Sequence, residues 1–351
     1  MNNDIEKIIK DGTLAPSGEN CQPWKFSVSG DRISIYNLPE ADRSLYNSKQ
    51  KGSYIAHGAL IENIAISAAQ SGYEASVELF PTPAAPDLVS VVTLKKAAPK
   101  ADPLYQYLEK RCTNRKDFSG KKLSTEQKNA LIAAARETGF GELRLIDDAP
   151  SLAKLAPALA VNDRLIFENK LLHDFFYGHI LWKDEEQDKA GGFYIKTLEF
   201  LPHQLKGVQM MKKWPVLKIM NKIAGVSKMI AKENAAKYAA SGTLGAIVVN
   251  GDASKDFVNA GRAVARVWLA AASLGLSVHP CTGVVFFNEQ IKDGGAANFS
   301  EAQRLMIDEA YKQIVSVFGA EGKTIPMLWR LGFADAPTAR SMRMPPVITH
   351  E

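Results

Sequence analysis

The sequence predicts an α+β fold made of two related halves joined in one chain. Two observations lead there. Strand-like and helix-like segments mix without the regular strand–helix alternation of a doubly wound sheet. One helical pattern also occurs twice: 58–72 reads GALIENIAISAAQSG and 261–275 reads GRAVARVWLAAASLG. Gly58 matches Gly261, Ala68-Ala69 matches Ala271-Ala272 and Gly72 matches Gly275, always at an offset of 203 residues. Small residues let such helices approach closely, and a closing glycine suits a left-handed C-cap. A strand-like run follows each copy, at 75–80 and at 277–279. The 351 residues are enough for two units of ordinary domain size.

Alternation predicts strands at 24–28, 32–36, 76–80 and 88–94 in the first half, and at 142–146, 244–249 and 328–333 in the second. Helical spacing covers roughly 4–12, 58–71, 103–111, 125–137, 151–160, 256–274 and 300–318. The proline-rich stretch 81–86 is a loop. AAPKAD at 97–102 is the best boundary, giving a first half over 1–100 and a second over 101–351 with a lid-like insertion at about 160–240. Part of that insertion stands apart: 203–232 holds seven lysines and no acidic residue. Within it Val216, Leu217, Ile219, Met220, Ile223, Val226, Met229 and Ile230 recur at helical spacing, which predicts a basic amphipathic helix starting near Pro215. Three readings compete for it: a helix docked on its own core, a lid over a ligand site, or a membrane-surface helix, the least favoured. The lid reading turns Leu217, Met220, Ile223 and Met229 inward.

Composition narrows the function. A hydrophobic fraction of 46% and a charged fraction of 23% are those of a soluble globular protein, not of a disordered or fibrous one. No apolar run approaches the ~18 residues of a spanning helix. The stretch 1–7 carries acids and no apolar core, so no secretory leader is expected there. Three cysteines do not make a disulfide framework, and a reducing cytoplasm is the expected location. The net charge of +5 permits anionic ligands. Without a dense basic stripe or a reading module, nucleic acid is not an expected partner.

Four segments carry candidate chemistry. Ala15-Pro16-Ser17-Gly18-Glu19-Asn20-Cys21-Gln22-Pro23-Trp24 is a loop bracketed by prolines and rich in hydrogen-bonding groups, suited to a flat heteroaromatic ligand with polar edges. Arg111-Cys112-Thr113-Asn114-Arg115 places two arginines four apart, able to converge on a phosphate. His279-Pro280-Cys281-Thr282-Gly283 follows the second repeat helix, where Pro and Gly can bring backbone amides close to a ligand. Arg340-Ser341-Met342-Arg343-Met344-Pro345 is a basic, proline-stopped tail. Taken singly, each has a plainer reading as a capped turn, a solvated basic turn or an ordinary strand end. Cys21, Cys112, Cys281, His57 and His279 read as small buried groups, and no cysteine spacing suggests a metal.

Together the four segments resemble the nitroreductase-like flavoproteins. The family's Pro-Ser-x-x-Asn-x-Gln-Pro-Trp loop is matched by 15–24, its Arg-rich motif by 111–118, its Leu-x-Ala helix and following Pro-x-x-Gly by 269–283, and its Arg-x-Pro tail by 343–345. The order differs from an ordinary member, because the arginine motif follows the loop. The first half has no arginine pair before Ala15, and the second half has no Asn-x-Gln-Pro-Trp loop. Each half lacks what the other keeps. That looks like the double-length, Acg-type branch: a fused pseudo-dimer with one complete flavin site.

The resemblance implies two nitroreductase-like halves, each a mostly antiparallel sheet packed with helices, and FMN as cofactor. It implies that Arg111, Thr113 and Arg115 hold the phosphate and ribityl chain, joined by Arg343 and Arg340. Pro16, Ser17, Gly18, Asn20 and Gln22 would reach the flavin from the opposite half, and Pro280, Thr282 and Gly283 would line the isoalloxazine. No side chain is expected as catalytic acid or base, since the chemistry belongs to the flavin. The implied activity is an NAD(P)H oxidoreductase acting on a nitroaromatic, quinone or other small electron acceptor, with the chain a pseudo-dimeric monomer or a homodimer. The alternative is a flavin-sequestering protein with a lidded FMN site and little turnover.

Overall fold

The computed structural model describes residues 3–188 and 191–351. Helices α1 (Asn3–Gly12) and α2 (Lys51–Gln70) and strands β1 (Trp24–Ser29), β2 (Arg32–Asn37), β3 (Tyr73–Leu79) and β4 (Leu88–Lys96) form the first body. The second opens with α3 (Thr125–Glu137), β5 (Glu142–Ile146) and α4 (Ala149–Leu159). The 160–240 segment, the expected insertion, follows as α5 (Val161–Ile166), α6 (Lys170–Gly178), β6 (Ile180–Leu181), β7 (Phe193–Tyr194), α7 (Pro202–Met211), α8 (Trp214–Ala224) and α9 (Val226–Ala239). The chain closes with β8 (Thr243–Val249), α10 (Ser254–Ser273), β9 (Ser277–Pro280), α11 (Gly283–Lys292), α12 (Glu301–Phe318), β10 (Thr324–Gly332) and β11 (Ile348–His350).

Among the described residues two main sheets result, each packed with helices as an α+β fold requires, beside a small parallel pair, β6 with β7. One has the order β11-β1-β2-β4-β3, antiparallel except where β11 joins β1 in parallel. The other has the order β5-β8-β10-β9 and is antiparallel throughout. α1 and α2 pack on the first sheet around Ile8, Ile9, Phe26, Ile33, Ile35 and Val92. α3 and α10 cover one face of the second sheet, while α4 and α12 cover the other. Covered on both faces, β8 is buried at every position and has no solvent side to mark with polar residues.

The two repeat helices are the centre of the molecule. A Cβ on Gly58 would stand 1.9 Å from the Val258 carbonyl oxygen and 2.7 Å from Gly261 Cα. A Cβ on Gly261 would stand 2.1 Å from the Ile55 carbonyl oxygen. Only glycine fits, so α2 and α10 touch backbone to backbone. The closing glycines behave as the spacing predicts, with φ of 80° at Gly72 and 68° at Gly275. Buried Glu62 on α2 fixes the crossing one turn on, pairing with Arg262 (2.8 Å) and Arg266 (2.9 Å) of α10.

Three expectations are corrected. The helix expected at 103–111 is a single 3-10 turn, Tyr105–Tyr107. The helix expected over 58–71 begins at Lys51, because its first turns are buried on nearly all sides and show no amphipathic period. The basic helix after Pro215 is two helices, broken at Gly225 in the left-handed conformation (φ 61°). Its apolar set also divides: Leu217 is buried, but Ile219, Ile223 and Met229 point to solvent.

Substituting at the crossing should therefore be costly. Gly58→Ala should lose roughly 1–3 kcal/mol of stability or more, because the added carbon meets backbone that cannot yield. Gly207→Ala, in the middle of α7 with open space around it, should gain up to ~1 kcal/mol. Urea denaturation of the two variants measures both; equal midpoints would deny the close crossing.

Candidate functional site

The Pro16–Gln22 loop leaves α1 with a strained backbone. Glu19, Asn20 and Gln22 all have left-handed φ (44°, 58° and 48°), a conformation costing roughly 1–3 kcal/mol at a non-glycine residue and concentrated at functional sites. Ser17 Oγ accepts from Gln22 N (3.0 Å), which closes the turn. The loop's amides then engage the far end of the chain. Asn20 Nδ2 donates to the Met342 carbonyl (2.9 Å), Asn20 Oδ1 accepts from Arg343, and Gln22 Oε1 accepts from Met344 N (2.9 Å). Gly18 lies beside Asp42, and Pro16 is half-buried.

Arginines gather behind this loop. Arg111 is buried, stacks on Trp268 of α10 at 4.7 Å and donates to the Leu14 carbonyl (3.1 Å), while its Nε has no partner. Burial pushes its pKa down to about 9, and the positive charges of Arg343 and Arg340 add to the effect. Burial likewise lowers Arg343 to about 10, and its Nε too lacks a partner. Arg340 donates to the Glu109 and Lys110 carbonyls. Arg115 donates to the Thr197 carbonyl (3.0 Å) and lies over Phe193 (5.6 Å). Burial lowers it to about 10 and Arg330 adds to that, against the pull of Glu199 and Glu19. Thr113 is half-buried between Arg111 and Arg115.

Arg330 was not among the residues singled out in the sequence. It is 2% exposed on β10, donates to the Lys116 carbonyl (3.0 Å) and lies over the Phe118 ring at 4.3 Å, with Nε unpartnered. The available signal was a lone charge inside the apolar run Leu328-Trp329-Arg330-Leu331. Among the described residues, none of Arg111, Arg115, Arg330, Arg340 and Arg343 forms an ion pair with a carboxylate. The charges form two poles, Arg111–Arg340–Arg343 and Arg115–Arg330. Arg111 and Arg330 are buried, Arg115 and Arg343 partly buried and Arg340 exposed, and a buried cation without an ion pair is costly, which makes the array a candidate site for an anion.

The 280–283 segment is more structural than its sequence suggests. Thr282 Oγ1 accepts from Leu328 N (3.0 Å) and donates to the Leu328 carbonyl (3.3 Å), clamping α11 to β10. Gly283 is pressed against Asn162 of the insertion, and Pro280 stands opposite Trp329. His279 faces Arg330 across the ladder and is held well below the usual histidine range by burial and the two arginines, so it is neutral. Burial raises Cys281 to about 12 and Asp163 to about 6. His57, paired with Asn37 Oδ1 (3.1 Å) under Trp24, is a core residue lowered to about 3 by burial. Cys21 is buried as well.

A strap from the insertion, residues 191–199, runs over the site. Gly192 N donates to the Glu19 carbonyl, Phe193 covers Arg115, the Thr197 carbonyl holds it, and Glu199 accepts from Thr338 N and Oγ1 (2.6 Å each). Beside the strap a cavity of about 230 Å³ opens between Glu19, Cys21 and Asp42 and the insertion's Phe175, Gly178, His179 and Leu181. Small-molecule sites span ~300–1,000 Å³, so a larger ligand requires the strap to shift.

Glu19 gives the site a pH signature. Burial first, then the Asp42 carboxylate, raises its pKa from 4.5 to about 8, with Arg115 opposing. Between those values the folded chain keeps a proton that the unfolded chain has lost, so stability falls as pH rises through that window. Glu19→Gln should abolish its share of the fall: the variant should melt progressively above the unmodified chain from pH 5 to pH 8. Parallel curves in a pH series of thermal melts would exclude it.

No family model matches the chain. An uncharacterized Mycobacterium tuberculosis protein is 25% identical over 342 residues, 96% of this chain and 47% of that protein. The chain thus spans about half the length of the curated relative it matches. Among solved structures, it is similar to an FMN-bound nitroreductase from Bacteroides fragilis (12% identity, TM-score 0.37, 68% of this chain and 91% of that one). It is similar also to the FMN-dependent nitroreductase NfnB from Mycobacterium smegmatis in complex with NADPH (12%, 0.37, 66% and 88%). A putative nitroreductase from Anabaena variabilis covers more of the chain (11%, 0.44, 91% and 82%).

Proposed function

We propose that the chain is an FMN-dependent oxidoreductase that takes electrons from NAD(P)H and passes them to a nitroaromatic, quinone or other small acceptor. The observation that carries this reading is the array of arginines without carboxylate partners beside the Pro16–Gln22 loop. The residues fit the phosphate end of FMN: Arg111, Arg340 and Arg343 lie within electrostatic reach of one another, and Arg111 and Arg343 keep orphaned Nε donors. When bound, the flavin supplies the electron transfer, and the protein supplies position and shielding.

In this reading Arg111, Arg340 and Arg343 hold the phosphate, with Thr113 beside them. Arg115 and Arg330 form the second positive pole. Pro16, Ser17, Gly18, Asn20 and Gln22 reach the ligand from the other half, while Pro280, Thr282 and Gly283 shape one wall through backbone, since the Thr282 hydroxyl is already engaged. The strap excludes water from the arginines and shifts to admit the ligand.

Two measurements test it. The pure protein should show a visible flavin spectrum, and denaturation should release one FMN per chain; no flavin uptake on addition of FMN would end the reading. Arg343→Ala should then weaken FMN binding by ~10–100-fold, the worth of a charge-assisted hydrogen bond of roughly 1.5–3 kcal/mol. Riboflavin, lacking the phosphate, should bind the variant and the unmodified chain alike. Equal losses for both ligands would place the arginine outside a phosphate site.

A further inference from the structure

The insertion carries a surface that neither its own core nor the candidate site uses. Among the described residues, six of the nine large hydrophobic side chains left exposed belong to it: Leu171, Leu201, Met210, Ile219, Ile223 and Met229. Ile223 is 81% exposed, Met229 63% and Ile219 60%. Single exposed apolar residues are ordinary, but a run of them is not. Ile219 and Ile223 are one helical turn apart on α8 and make one apolar ridge. Lys218 and Lys222 make a basic ridge directly beside it, and Lys228 and Lys232 repeat that spacing on α9 next to Met229.

The charge of this surface is one-signed. The stretch 203–232 contains seven lysines and no acid, and among the described residues none of the seven forms an ion pair. Lys212 lies over the Trp182 ring (5.5 Å), but no ion pair explains the other six. A lysine stem can lie along apolar surface while its ammonium stays in water, so exposed lysines beside exposed isoleucines have the pattern of a helix lying in a lipid interface. Nucleic acid would use the lysines but has no place for the isoleucine tips. The opposite sides of the same helices are buried. Leu217, Met220 and Ile230 join a small core with Phe167, Tyr177, Val208 and Met211.

The geometry points to reversible docking of the α8–α9 hairpin on an anionic lipid bilayer, with Ile219, Ile223 and Met229 entering the interface and the lysines meeting lipid phosphates. Among the described residues no helix is long and apolar enough to cross a membrane, so the contact is peripheral. The docking helices share their inner core with Ile195 and Leu198, which flank Thr197, the strap residue holding Arg115. The lipid surface would thus lie against the back of the strap.

Co-sedimentation of the full chain with vesicles tests this. Phosphatidylcholine vesicles containing about a third phosphatidylglycerol should bind it, and pure phosphatidylcholine should not. Binding should fade between ~0.1 M and ~1 M salt, as the Debye length contracts from ~10 Å to ~3 Å. Lys218→Gln and Lys222→Gln should each weaken vesicle binding about fivefold. Ile219→Asp with Ile223→Asp should abolish it while leaving the thermal melt unchanged, since both positions are solvated. Equal binding to both vesicle types, loss of folding without loss of binding, or no binding to either would overturn the proposal. Salt-sensitive binding to duplex DNA or to an acidic peptide in place of anionic vesicles would overturn it as well.

Discussion

Everything in this molecule is arranged around the place where Gly58 and Gly261 let two helices touch without side chains between them. That contact fixes the distance between α2 and α10, and the ion pairs of Glu62 with Arg262 and Arg266 fix their rotation. Arg266 extends the lock to Asp102 and Glu137 (2.9 Å each), tying in the segment between the halves and the end of α3. Glu62 is 4% exposed, so this is a buried network in which losing one partner would strand a charge. Each helix then carries its own sheet, and the two sheets hold opposite flanks of one central pair.

The candidate site is a consequence of that crossing. α1 is seated on α2 through Gly12, whose missing Cβ makes room for Ile64, and the Pro16–Gln22 loop follows directly from α1. From the other side, Trp268 of α10 stacks on Arg111 and donates to the Cys112 carbonyl (3.3 Å). Arg111 then reaches back to the Leu14 carbonyl, two residues before the loop. Thus a loop from one half and an arginine motif from the other meet because their supporting helices are in backbone contact. Side chains at positions 58 or 261 would push both parts of the site away from each other.

Much of this could be read in the sequence. The matched glycines marked both helices as a closely packing repeat, though not that they pack on each other; the apolar alternation at 142–146 and the helical pattern at 125–137 coincide with β5 and α3, and Ser124 and Gln127 cap the latter as a reciprocal box. The rest was hidden for physical reasons. α2 is buried on nearly every side, so its first turns show no period. β11 is three residues long and gains its place only by pairing with β1, over 300 residues away. The hairpin after Pro215 looked like one inward-facing helix because hydrophobic spacing does not say which way a face turns; Gly225 and the exposed isoleucines decide that. Arg330 was overlooked because strand reading weighs apolar runs, and a single buried cation looks like an interruption instead of a purpose. The Thr282 hydroxyl illustrates the reverse case, a polar side chain in a suggestive motif whose bonds go to its own scaffold.

The C-terminal tail shows why the arginines can be held at all. It is pinned at Thr338 by Glu199 of the strap, clasped at 342–344 by Asn20 and Gln22, and secured beyond by β11 on β1 and by Ser27 Oγ donating to Glu351 (2.7 Å). These fastenings bracket Arg340 and Arg343 on both sides. Without them, mutual repulsion with Arg111 would drive the tail into water, where each guanidinium is better solvated. Hydrogen bonds to backbone carbonyls and stacking on Trp268 and Phe193 soften the cost of burial, but neutral carbonyls and rings do not cancel net charge. The fold therefore spends strap, loop and tail contacts on keeping Arg111, Arg115 and Arg343 together and largely covered, while Arg340 stays exposed. Glu19 and Glu199 act on Arg115, and Asp117 and Asp163 on Arg330, through space and without ion pairing; in the proposed function a phosphate arriving from solution would supply the balancing charge.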